Sequence, residues 1–92
     1  MSVVDELEPA ETPFELGIEL RAASHELMQI ATDHVVARRH AAGYRAISDS
    51  MTLDTIVSRL DDGNLSTTLA RLFLDAAHEL VRRYADELEA IR

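Results

Sequence analysis

A chain of 92 residues, 47% of them hydrophobic, holds a single domain with a modest core. It has no cysteine, which excludes disulfides and thiolate metal sites, and no apolar run near the ~20 residues of a membrane span. A net charge of −8 argues against general binding to nucleic acid or anionic lipid and favours a protein partner.

Residues 1–11 contain Asp5, Glu6, Glu8 and Glu11 and no base, so they read as a flexible acidic arm with a short apolar triplet, Val3, Val4 and Leu7. Such acidity is the reverse of a secretory leader, and a cytoplasmic location is expected. Residues 12–92 read as one helical domain. All nine basic residues are arginine, which codon bias in a GC-rich genome would explain.

Thr12-Pro13-Phe14-Glu15 sets a hydroxyl at the cap, proline at the first helical position and glutamate three after the cap, the pattern of a capping box. Leu16, Leu20, Ala23, Leu27, Ile30, His34, Ala37, Ala41 and Tyr44 then alternate steps of four and three. This seam predicts one long helix over 13–45. Gly17 and Gly43 weaken it by ~1 kcal/mol each, and Gly43 doubles as a stop signal near its end.

Ser48-Asp49-Ser50 reads as a polar break and cap cluster. Leu53, Ile56, Val57 and Leu60 follow at helical spacing, predicting a short helix over 51–61 that Asp61-Asp62-Gly63-Asn64 ends. A third helix is predicted over 65–91, its main face made of Leu65, Leu69, Leu72, Phe73, Ala76, Leu80, Tyr84, Leu88 and Ile91. Leu74, Ala77 and Val81 widen that face, so residues 69–77 are expected to be the most deeply buried segment.

The fold class is therefore all-α. The expected arrangement is a long–short–long hairpin with the two long helices antiparallel and their open sides closed by a twin in a four-helix-core homodimer. Leu16, Leu20, Leu27, Ile30, His34, Leu69, Phe73, Leu80 and Tyr84 are its expected core and dimer residues. The layout resembles the small all-helical chorismate mutases, and Arg21 and Arg38 echo two first-helix arginines of that family. The family's catalytic positions fall here at Asp49, Thr52, Leu53 and Tyr84, so the resemblance implies shared architecture and no activity.

The chemistry-bearing residues are few. His34 on the seam is either a core histidine with local partners or a proton-switchable or metal-binding group. Asp75 and His78, one turn apart, have the acid-x-x-His spacing of carboxylate-bridged metal sites, yet the first helix offers no matching pair. Residues 52–73 superficially resemble a helix-turn-helix. Their acidic turn and the packing expected of Leu65, Leu69 and Phe73 oppose a DNA-binding regulator. Arg38, Arg39, His40 and Arg45 form the one basic concentration, suited to an acidic partner or to a helix C-terminus.

These features point to a non-enzymatic interaction module, a small acidic regulator, adaptor or inhibitor of the kind found among phage or bacterial accessory proteins. It would bind itself and another protein, with Phe14, Ile18, Arg38, Arg39 and Arg45 as partner contacts and no cofactor. A DNA-binding regulator and a dimeric helical enzyme or metal protein are the alternatives.

Overall fold

The computed structural model describes residues 12–91. The acidic arm expected at residues 1–11 lies outside the described residues. Three helices of nearly equal length account for the rest: α1 over Pro13–Val36, α2 over His40–Asp61 and α3 over Thr67–Ala90. The all-α class stands, and among the described residues no helix is long and apolar enough to cross a membrane.

The start of α1 follows the sequence. Glu15 N donates to Thr12 Oγ1 at 3.1 Å and Thr12 N donates to Glu15 Oε1 at 2.9 Å, which completes the capping box. Its end does not. The predicted 33-residue helix stops at Val36, and the short helix expected at 51–61 begins eleven residues early, at His40. Arg38 takes the left-handed conformation, φ 64°. Arg38 N donates to Val35 O at 2.9 Å and Arg39 N to His34 O at 2.7 Å. This is a Schellman cap with arginine in the position where glycine is usual. The same motif closes α2: Gly63 has φ 77°, Gly63 N donates to Leu60 O and Asn64 N to Arg59 O.

The long–short–long prediction is thus replaced by three equal rods, and α2 supplies the whole return leg beside α1. Arg21 pairs with Asp61 at 2.7 Å at one end of this antiparallel pair, and Gly43 sits against Ala31 and Val35 at the other. A Cβ on Gly43 would lie 2.5 Å from Val35 Cγ2 and 3.1 Å from the Ala31 carbonyl oxygen. Gly43 is therefore a point of close approach between two helices, not a helix stop. Ser48-Asp49-Ser50, predicted to be a break, lies inside α2. Ser50 is buried, and its hydroxyl donates to Ser24 O at 3.0 Å while lying 2.8 Å from Ser24 Oγ. Ser24 Oγ in turn donates to Asp54 Oδ1 at 2.8 Å, so these polar residues fasten α2 to α1.

α3 returns beside α1 and runs in the same direction, because His34 near the end of α1 meets Tyr84 near the end of α3. The antiparallel pairing expected for the first and third helices is corrected accordingly. α1 packs along both neighbours, whereas α2 and α3 touch only sparsely. The core lies around α1: Leu16, Leu20, Ala23, Leu27 and Ala31 join Ala46, Leu53, Val57 and Leu60 of α2 and Ala70, Leu74, Ala77 and Tyr84 of α3. The seam stops at His34, since Ala37, Ala41 and Tyr44 are exposed beyond it.

Candidate functional site

The apolar residues of α3 divide into two stripes. Ala70, Leu74, Ala77, Tyr84 and Leu88 are buried, with Val81 partly buried among them, and these belong to the core around α1. One residue back, and so about 100° round the helix, runs the second stripe of Leu69, Leu72, Phe73 and Ala76. It faces outward: Leu69 is 47% exposed, Leu72 59% and Phe73 39%. Leu65 and Leu80 are half-buried at its margins.

The segment expected to be most deeply buried therefore carries three exposed large apolar side chains, Leu69, Leu72 and Phe73, and Leu69 and Phe73 are not core residues of the single chain. Size explains the choice of face. Alanines at 70 and 77 let α3 approach the leucine-rich face of α1 closely, which the bulkier Leu69, Leu72 and Phe73 would prevent. Of the other expected core residues, Leu16, Leu20, Leu27, His34 and Tyr84 are buried, and Ile30 and Leu80 are half-buried.

Phe14 and Ile18 lie one turn apart on α1, off its core face, 72% and 50% exposed. The expected basic patch is engaged within the molecule in part. Arg39 pairs with Glu87 at 3.3 Å, Arg45 approaches the Tyr84 hydroxyl, and Arg38 is exposed in the turn. The acids elsewhere are interleaved with arginines in the same way: Arg71 pairs with Asp75, and Arg82 with both Glu79 and Asp86.

His34 is fully buried at the end of α1. Its Nε2 lies 2.9 Å from the Tyr84 carbonyl oxygen, to which it donates, and its ring stands edge-on to the Tyr84 ring with centroids 6.0 Å apart. His34 Nδ1 and Arg39 Nε are buried without a hydrogen-bond partner. The Tyr84 hydroxyl donates to Asp49 Oδ2 at 2.9 Å. Burial pushes the Tyr84 phenol above its usual range, and the hydrogen bond and charge of Asp49 act in the same direction against weaker opposition from Arg45.

The metal candidates are not brought together. His34 lies in the core, whereas Asp75 and His78 are exposed on α3, and Asp75 is paired with Arg71. No group of three or more potential ligands converges among the described residues. The helix-turn-helix candidate at 52–73 spans the last part of α2, a five-residue connection and the first two turns of α3. Its two helices touch little, and Leu69 and Phe73 point away from the core instead of packing into it. Arg21 and Arg38 do not share a helix, and the helix lengths depart from the chorismate-mutase layout. The chain matches no known family, no curated protein and no solved structure.

Sequence reasoning missed the Ser24–Ser50–Asp54 cluster and the Tyr84–Asp49 bond. Serines next to aspartate read most simply as a cap, and no local signal paired them with positions 26 or more residues away.

Proposed function

We propose that this protein is a non-enzymatic interaction module, a small acidic helical regulator or adaptor that associates with itself and with another protein. The observation that carries this reading is the outward stripe of Leu69, Leu72 and Phe73, flanked on α3 by the ion pairs of Arg71 with Asp75 and of Arg82 with Glu79 and Asp86. Large apolar side chains grouped at helical spacing on a small domain are the usual mark of helix-in-groove or helix-on-helix recognition. Phe14 and Ile18 on α1 form a second, separate pair of exposed anchors.

The test is affinity capture from the native host with the full chain and with Phe73→Asp and Phe14→Asp variants. A protein retained by the parent and lost with either variant supports the reading and assigns the face. Retention of the same proteins by all three chains would refute it, as would retention of none. Both substitutions fall at exposed positions, so the helical circular dichroism is expected to stay unchanged.

A further inference from the structure

We infer that His34 is a proton-sensitive latch: its buried ring holds the C-terminal half of α3 against α1 only while it is neutral, and acid loosens that end of the bundle. The surroundings of the ring carry this inference, and it stands apart from the interaction surface proposed above.

His34 has 0% of its surface exposed. The Tyr84 carbonyl oxygen, 2.9 Å from Nε2, can only accept, so the neutral ring must keep its one hydrogen on Nε2 and leave Nδ1 as a bare lone pair. Nδ1 is buried with no partner. A second proton therefore turns Nδ1 into a charged donor without an acceptor, in a place closed to water.

The neighbouring groups do not offset that cost. On α3, Glu87 lies one turn beyond Tyr84 and is already paired with Arg39 at 3.3 Å. On α2, Asp49 accepts from the Tyr84 hydroxyl at 2.9 Å, and Arg45 approaches the same hydroxyl. On α1, Asp33 is exposed beside His34. In the turn, Arg38 is exposed, while Arg39 N donates to His34 O at 2.7 Å and Arg39 Nε is buried without an acceptor of its own. The end of α1 thus offers an imidazolium two committed carboxylates and an arginine still short of a partner.

Unfolding frees the ring to take the proton. The unfolded chain then binds more protons than the folded one, so the stability His34 contributes is present above the ordinary imidazole value, about pH 6.5, and falls as pH drops below it. One proton sets a limit of about tenfold in the unfolding constant per pH unit. The other three histidines, His25, His40 and His78, are exposed, and carboxylates ordinarily titrate at about pH 4, below this window.

Urea titrations of the full chain and of His34→Gln, from about pH 7.5 to about pH 5.5, test the latch. Glutamine keeps an N–H for the Tyr84 carbonyl and does not ionise. The expected result is an unfolding constant that rises towards tenfold per pH unit in the parent and stays within about twofold over the whole range in the variant. Proton NMR of the parent follows the histidine rings over the same range. His25, His40 and His78 are expected to titrate in the folded chain, and His34 only as the native signals of Tyr84 are lost. Equal pH slopes in the two chains overturn the inference. So does a His34 ring that titrates with the exposed three while the Tyr84 signals stay native, and this second measurement decides the matter if His34→Gln does not fold.

Discussion

Gly17 and Gly43 both lie inside helices, yet alanine at the two positions is expected to act in opposite directions. Each substitution removes the helix penalty of glycine, worth about 1 kcal/mol. At Gly17 a new Cβ meets Asp61 Oδ1 at 3.7 Å and Arg21 Nη1 at 3.8 Å, which are ordinary contacts, so the full gain remains. At Gly43 the same atom falls 2.5 Å from Val35 Cγ2 and 3.1 Å from the Ala31 carbonyl oxygen. Valine is stiff at its first torsion and the carbonyl belongs to α1, so neither yields without moving the helix. Overpacking of this kind costs about 1–3 kcal/mol and outweighs the propensity gain. Gly17→Ala should raise stability by about 1 kcal/mol and Gly43→Ala lower it by up to about 2 kcal/mol, a difference of roughly 5–20 °C in Tm for a domain of this size. Urea titration of both variants measures the two values. Adding Val35→Ala to Gly43→Ala removes the nearer clash, so the pair should be less destabilised than the sum of its parts. If Gly43→Ala stabilises as much as Gly17→Ala does, the close approach of α1 and α2 is wrong.

Replacing Arg38 by glycine relieves a left-handed residue and should be neutral or stabilising by up to about 1 kcal/mol, whereas Arg38→Val should cost at least about 1 kcal/mol, as thermal melts would show. Ser50→Ala breaks a buried link between α1 and α2 and should cost about 1 kcal/mol, while Ser48→Ala at an exposed mid-helix site should cost nothing. The reverse order in urea titrations would restore Ser48-Asp49-Ser50 as a helix cap. The raised Tyr84 phenol means the folded chain holds that proton more tightly than the unfolded chain. Its stabilising effect is complete below pH ~10, the ordinary phenol value, and is lost as pH climbs from there through the higher folded value. In a Tyr44→Phe chain, absorbance titration at tyrosinate wavelengths should place the remaining midpoint above 10 and lower it when Asp49→Asn is added; an unmoved midpoint would contradict the Asp49 contact.

The helical class, the start of α1 and the end of α2 were legible because each has a local cause: the Thr12–Glu15 box and a glycine at a left-handed position. The end of α1 was hidden by Arg38, which holds the same left-handed backbone without announcing it. The four–three seam carried on through alanines, and Ala37 and Ala41 fit a buried stripe and an exposed turn equally well. The orientation of α3 was hidden for a different reason. Its periodicity favours the stripe with the larger side chains, but packing against α1 is decided by how close the backbones can come, and that favours Ala70 and Ala77. The candidate surface was thus visible as a pattern and misplaced as to side.

The sparse contact between α2 and α3 bears on how the molecule comes apart. Helix α3 is held mainly through α1, with the Tyr84–Asp49 bond as its link to α2, so of the three helices it gives up the least packing when it detaches. Backbone amides of α3 should therefore exchange with solvent at a lower free energy than those midway along α1, as one cooperative segment. A helix that releases as a unit is also one that two copies can trade, with each α3 completing the core of the other molecule at high concentration.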